Sequence, residues 1–398
     1  MAAADQDPIV IVGMARTAMG SFQGALGSMT APELGAVAIK EAVARAGLGA
    51  KDVTEVLMGC VLPAGQGQAP ARQAALGAGL PQSVPATTVN KMCGSGMKTV
   101  MLAFDGLHAR PRDIVVAGGM ESMTNAPYLL PKMRGGARLG HAEVKDHMFL
   151  DGLEDAYDKG RLMGTFAEDC AQSFQFTREA QDAFAIESLA RAKRANEDGS
   201  FKAEIVPVTV KSRKGSTEVA RDEQPFSADP GKIPQLKPAF RDGGTVTPAN
   251  SSSISDGAAA LVLMRESEAK RRKLKPIARI VGTAGAAQAP ALFTTAPVAA
   301  MKTLLADIGW SAEDVDLYEI NEAFAVVTMV TMREMGLPHE KVNVNGGACA
   351  LGHPIGASGA RIIVTLLGAL EKAGKKKGVA SLCIGGGEAT AVAVERLS

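Results

Sequence analysis

Residues 296–323, APVAAMKTLLADIGWSAEDVDLYEINEA, can be laid on residues 34–61, LGAVAIKEAVARAGLGAKDVTEVLMGCV. Both copies run through a helix-patterned stretch, a glycine, an acid-rich turn, Asp-Val and a short strand-like run. The order continues on either side. PIVIVG (8–13) answers KPIARIVGTAG (275–285), CGSGMKTV (93–100) falls near GASGARIIV (356–364), and DIVVAGGMES (113–122) near ASLCIGGGEA (380–389). Ala-rich α/β segments resemble one another readily, but four in one order at a spacing of about 265 residues make an internal duplication. Strand alternating with helix gives each copy an α/β layer, and two such halves meet face to face with strand ends and Gly-rich loops converging between them. A site there draws residues from both halves.

The predicted division is an N-terminal α/β half (1–122 plus 255–274), an inserted loop domain (123–254) and a C-terminal α/β half (275–398). The insert differs in texture: RKGSTEVARDEQPFSADPGKIPQLKP is polar and rich in Pro and Gly, without long periodicity. From 202 to 241 it holds eight Lys/Arg against five Asp/Glu, a net +3 that by itself reads as a solvated surface. For the whole chain, 398 residues with 46% hydrophobic content and a net charge of +1 exclude disorder and a polyanion-binding surface, so nucleic acid is not an expected partner. Cys60, Cys93, Cys170, Cys349 and Cys383 lie far apart without CxxC spacing, which points away from zinc, from any other metal and from disulfides, and toward a reducing compartment. The opening MAAADQDPIVIVG has the pattern of neither a secretory nor a transit peptide, so the expected location is cytoplasmic. No run approaches the ~18 apolar residues of a membrane span.

Cys93 stands directly before Gly-Ser-Gly, and Met97, Val100, Met101, Phe104 and Leu107 then follow helical spacing. That places Cys93 at a helix N-terminus, where the macrodipole and free N–H groups are expected to lower the thiol pKa from about 8.5. A thiol nucleophile needs a base. His108, His141, His147 and His339 read as surface residues, whereas His353 stands in GGACALGHPIGASG at the duplicate of the Cys93 position. If the halves face each other, His353 and Cys93 approach from opposite sides. SLCIGGGEA (381–389) ends a strand on Cys383 and supplies bare N–H groups able to hold an oxyanion. No Lys-Ser/Thr follows as in a phosphate loop. Asn321, in EINEAFA, is placed either as an N-cap or as a polar donor in the cleft.

Together, NKMCGSG around Cys93, NEAF (321–324), GHP (352–354) and CIGGG (383–387) resemble the thiolase family, and the resemblance extends over essentially the full chain, including GTVTPANSSSISDGAAA (244–260). It implies a duplicated five-layer αβαβα core with a loop domain that binds coenzyme A, in a homodimer or homotetramer. Acyl-CoA would be the substrate, with coenzyme A and acetyl-CoA as reactants and no tightly bound cofactor. By that resemblance Cys93 carries the acyl group, His353 takes its proton, and Cys383 removes the α-proton of a second acetyl-CoA. His353 with a water held by Asn321 forms one oxyanion hole, and the N–H groups of Cys93 and Gly385 the other. Ser252 contacts the pantetheine chain and Met163 lines its tunnel. The chain departs from the family pattern at Leu162, Phe226, Phe293 and Glu388. Those departures bear on acyl length and CoA affinity, and keep a 3-ketoacyl-CoA thiolase of longer chains as the alternative to acetyl-CoA condensation. A decarboxylating ketoacyl synthase would lack the second cysteine at CIGGG. A non-catalytic acyl-CoA binder would not need the two cysteines and His353.

Overall fold

The structure, a computed structural model, describes residues 7–213 and 215–397, so residues 1–6 of the opening stretch lie outside it. The N-terminal half contributes β1 (Ile9–Thr17), α1 (Ala31–Arg45), β2 (Glu55–Gly59), α2 (Pro70–Gly77), β3 (Ala86–Val89), α3 (Ser95–Ala109) and β4 (Val115–Ser122). Two longer helices follow, α4 (Met163–Ser173) and α5 (Arg178–Glu197), and the chain returns to the sheet with β5 (Ser255–Arg265). The C-terminal half is β6 (Ala278–Ala287), α6 (Ala296–Ile308), β7 (Leu317–Ile320), α7 (Ala325–Met335), α8 (Ser358–Ala373), β8 (Lys377–Ile384) and β9 (Glu388–Arg396).

The duplication is visible strand by strand. One half is ordered β1-β5-β4-β2-β3 and the other β6-β9-β8-β7, with antiparallel pairs β1/β5, β5/β4, β6/β9 and β9/β8 and parallel pairs β4/β2 and β7/β8. Even the irregularity repeats: the register slips between Ile11 and Gly13 in β1 and between Ile280 and Gly282 in β6, at the same Ile-Val-Gly. A bulge at one residue bends and twists a strand locally, so both halves curve at the same place. The seam between them is the short antiparallel contact Val10↔Arg279 and Ile11↔Ala278 of β1 with β6, which makes one 11-stranded sheet.

Alternation along the strands assigns the layers. Val56, Met58, Val116 and Val262 face α1 and α2 in one apolar cluster. Leu57, Ala117, Leu261 and Leu263 face the opposite way, into a cluster shared with α3, α8, Leu382 and Val392. Ala391, Ala393 and Val379 face α6 in a third. The result is five layers, with α3 and α8 in the middle between the two halves of the sheet. A helix covered on two faces is buried nearly all round, and α8 is: every residue from Ser358 to Leu370 is buried, Arg361 among them paired with Glu319. Helix α1 lies on an outer layer and carries the usual signals of one, a Thr30/Glu33 capping box and Arg45 in its last turn.

The two middle helices cross where each has glycine. A methyl on Gly96 would lie 2.8 Å from the Ala360 nitrogen, and one on Gly359 would lie 2.3 Å from the Met97 nitrogen. Close backbone approach at this crossing brings the N-terminal ends of α3 and α8 together. The stretch Pro290–Ile308, with mean hydropathy 1.3, is long and apolar enough by length and composition to cross a membrane. Its α6 portion packs Ala300, Met301 and Leu304 into the third apolar cluster.

Candidate active site

Four connections end at the meeting of the halves: the turn before α3, the turn after β7, the turn before α8, and the glycine turn between β8 and β9. They border a cavity of about 380 Å³ lined by Cys93, His353, Cys383 and Gly385, with Met163 and Ser252 further along its wall. Residues spread over the whole sequence thus share one pocket. Asn321 does not line it, although Ala323 and Phe324 beside it do. Nor is Asn321 a helix cap, because α7 starts at Ala325 after Phe324. Its backbone is held in a tight turn, N–H to Ser381 O at 3.0 Å and carbonyl to Ala323 N–H at 2.9 Å. Its side-chain amide is buried without a hydrogen bond among the described residues.

Cys93 sits at the tip of a turn that begins at Lys91, whose carbonyl accepts from Gly94 N–H at 3.0 Å. Ser95 N–H donates to Met92 O at 2.9 Å, and Lys91 N–H to Ser95 Oγ at 2.9 Å. Met92 is forced to φ +47°, a left-handed conformation that costs a non-glycine residue about 1 kcal/mol or more and persists only where its surroundings over-determine it. The thiol is half-buried. Contrary to the expectation from its place before a helix, burial pushes it up, to about 11, and Glu121 adds in the same direction. The N–H groups of Gly385 and Cys93 donate to the sulfur and pull the other way. Desolvation of the charged form outweighs the dipole here because the helix end is enclosed by both halves rather than by water. Cys383 is also held well above the ordinary thiol range, by burial first and then by the nearby Cys93 sulfur.

His353 lies in the turn before α8, its N–H on Ser253 O at 3.0 Å. Its Nδ1 is 2.6 Å from Ser358 Oγ, and Ser358 Oγ donates to Pro354 O at 2.9 Å. A hydroxyl has one hydrogen to give; with that hydrogen on Pro354 O, Nδ1 carries the ring proton and donates. This network assigns the free lone pair to Nε2, which is buried and has no partner among the described residues. Burial, with Arg361 next, holds the ring pKa down to about 3, so His353 is neutral and basic at Nε2 at physiological pH.

Three residues that the sequence did not single out support these turns. Ser358 orients His353. Glu322 accepts from Ser188 Oγ (2.7 Å), Asn343 Nδ2 (2.8 Å) and Cys349 N–H (3.1 Å), tying the Asn321 turn to α5 and to the turn and short helix before His353. Glu121, 0% exposed, accepts from three backbone N–H groups of two separate segments. The only sequence trace of Ser358 is its place five residues after His353 at the helix start. His147, read as a surface residue, is 4% exposed, with Nδ1 2.7 Å from Asp151 Oδ2 and Nε2 accepting from Ala64 N–H.

The departures fall in three places. Leu162 and Phe293 line the cavity, and the Phe293 ring, 3% exposed, packs against Phe166 and Phe324. Phe226 lies in a separate surface groove, with the Arg221 guanidinium 4.1 Å over its ring. Glu388 forms an ion pair with Lys91, joining the Cys93 turn to the glycine turn.

The duplicated five-layer fold and a pocket pairing two cysteines with one imidazole define a thiolase. Family models agree: residues 9–267 match the thiolase N-terminal domain and residues 274–396 the thiolase C-terminal domain, and the chain belongs to this family. It is 52% identical to the cytosolic acetyl-CoA acetyltransferase of Mus musculus, over 99% of each chain. It is 50% identical to the acetyl-CoA acetyltransferase of Cupriavidus necator over 98% of this chain and 99% of that one. Among solved structures, the acetyl-CoA acetyltransferase of Bacillus anthracis superposes with a TM-score of 0.95 at 42% identity, covering 98% and 99% of the two chains. The Acat5 thiolase of Ascaris suum, determined in complex with coenzyme A, gives 0.93 at 42% identity, covering 98% and 100%.

Proposed function

We propose that this chain is an acetyl-CoA C-acetyltransferase that condenses two acetyl-CoA molecules to acetoacetyl-CoA and coenzyme A, and runs the cleavage when concentrations favour it. The observation that carries the reading is the single cavity shared by Cys93, His353 Nε2 and Cys383. Cys93 Sγ attacks the thioester carbonyl while Nε2 takes its proton. A thiol near 11 beside an imidazole near 3 does not form a standing ion pair, so this proton moves as the C–S bond forms. The departing CoA sulfur takes the Cys383 proton, leaving a Cys383 thiolate and an acetyl group on Cys93. That thiolate removes the α-proton of the second acetyl-CoA, and the enolate attacks the acetyl carbonyl. The Cys93–carbon bond breaks and His353 returns its proton to Cys93 Sγ. All three groups end as they began.

In this reading the N–H groups of Cys93 and Gly385, which converge on the Cys93 sulfur, hold the tetrahedral oxyanion, and His353 holds the enolate oxygen together with a water on the Asn321 amide, which itself lies off the cavity wall. Ser252 and Met163, on the cavity wall, take the pantetheine arm. Phe293, wedged against Phe324 and Phe166, supports a short acyl group over the longer-chain alternative. The names of the relatives support a cytosolic location, and we place the enzyme there as a homo-oligomer acting on acyl-CoA in fatty acid metabolism. Mass spectrometry after brief incubation with acetyl-CoA tests the reading: an acetyl adduct on the Cys93 peptide supports it, and an unlabelled Cys93 ends it. A ladder of 3-oxoacyl-CoA lengths tests the acetyl preference, which a strong bias to long chains would remove.

A further inference from the structure

We propose that Glu121 is a positioning residue for His353: it anchors the His353 turn of the C-terminal half in a socket built by the N-terminal half. The inference rests on the catalytic reading of His353 given above. The socket has a floor and a clamp. Its floor is made of three glycines from three elements. A methyl on Gly119 would lie 2.0 Å from the Gly356 carbonyl oxygen, one on Gly59 2.7 Å from it, and one on Gly96 3.0 Å. Only hydrogen at all three positions lets the Gly356 peptide seat there. Its clamp is Glu121, at the end of β4, whose Oε2 accepts from Gly356 N–H at 2.9 Å. The same oxygen accepts from Val61 N–H at 2.9 Å, and Oε1 accepts from Leu62 N–H at 3.2 Å.

Both backbone polar groups of one residue, Gly356, three beyond His353, are therefore seated against the opposite half of the molecule. Between that peptide and His353 lies a turn closed by Ala357 N–H to Pro354 O at 2.9 Å, so little slack separates anchor from imidazole. Cys93 belongs to the half that supplies the socket. Glu121 thus sets the distance between nucleophile and base, a spacing the seam of β1 with β6 is too short to control alone. A 1 Å misplacement of reacting groups costs on the order of 100-fold in rate.

E121Q keeps the shape but leaves one carbonyl oxygen for three N–H donors. G356A perturbs the same contact from the other side, since its methyl would lie 2.5 Å from Glu121 Oε2. Each variant is expected to lower kcat by about 10- to 100-fold with KM changed less than about threefold. The double variant should be no worse than the poorer single one, because both break one contact. A second readout is independent of turnover. Ionisable groups facing Glu121 are Cys60, at 3.5 Å, and Cys93. Removing the negative charge should shift the pH profile of Cys93 alkylation by iodoacetamide to lower pH, whereas a purely structural lesion would change only its rate.

Wild-type kcat in E121Q, or losses that multiply in the double variant, would overturn the proposal. Should E121Q not fold, G356A and E121D, which keep the charge, carry the kcat test, with kcat lowered at little-changed KM as the expected result. A wild-type protein that forms no acetyl-Cys93 would refute the catalytic reading instead. In that case a crystal structure of E121Q would still show whether the 353–357 turn leaves its seat.

Discussion

The starts of α3 and α8 are the same piece of architecture used twice. Both begin beside glycine, both are buried between the halves of the sheet, and each meets the other at Gly96 and Gly359. Yet one turn presents Cys93 and the other His353. The first is held by local bonds, with Met92 left-handed and Ser95 closing the turn on itself. The second is held locally by Ser358 and, from a distance, through Ser253 and Glu121. The duplicated frame is symmetric, whereas the two turns are filled differently, Cys93 two residues before α3 and His353 five before α8, and each is braced in its own way.

Removing the chemistry should be far more costly than loosening the frame. C93A is expected to lose more than about 10⁴-fold in condensation and to form no acetyl adduct. C383A should lose as much in condensation but still build the acetyl adduct on Cys93, more slowly, seen by mass spectrometry, since CoA can leave as its own thiolate whereas α-proton removal has no other base. Equal loss of the adduct in both would show that the two cysteines do not divide the work. H353N should cost about 10²- to 10⁴-fold in kcat/KM.

The same variant carries a pH signature. His353 is held near 3 in the fold against about 6.5 in an unfolded chain. As pH falls below 6.5 the unfolded chain takes the proton first, so this group's share of stability is present above that pH and is lost on the way down to 3. The fall in Tm between pH 7 and pH 5 should accordingly be smaller in H353N than in the wild type.

The frame itself is tested by G96A, whose methyl must push the α3/α8 crossing apart. Overpacking of this kind costs about 1–3 kcal/mol, read as a lowered urea midpoint. Free-enzyme alkylation distinguishes a buried thiol from a dipole-activated one: with Cys93 near 11, the iodoacetamide rate should climb about tenfold per pH unit from 7 to 10. A plateau by pH 8 would restore the helix-dipole expectation. The smallest effect belongs to E388M. Its partner Lys91 is 30% exposed and Glu388 is 38% exposed, and exposed pairs contribute about 0–1 kcal/mol, so activity should change less than about threefold.

The layers were legible because period-2 and helical patterns repeat in one order in both halves, down to the Ile-Val-Gly that bulges in each. Cys93, His353 and Cys383 were legible because small residues surround reactive ones at duplicated positions. What hid the supports is their setting. Glu121 closes a strand run of glycines and reads as its polar end, and Ser358 reads as a helix-start serine. Helix α5 was obscured within the insert because its buried face carries Gln181, Asp182 and Ser188 among the apolar residues, which dilutes the period. The thiol's direction was misjudged because a sequence shows a helix N-terminus but not how far it is walled from water.

Because α3 and α8 belong to the interior of both lobes at once, neither lobe can close its own hydrophobic core. Melting should therefore be a single cooperative event despite the length of the chain. The emission of the lone tryptophan, Trp310 in the second lobe, should change at the same temperature as the ellipticity of the whole; a separate, earlier step would mean that the lobes can live apart.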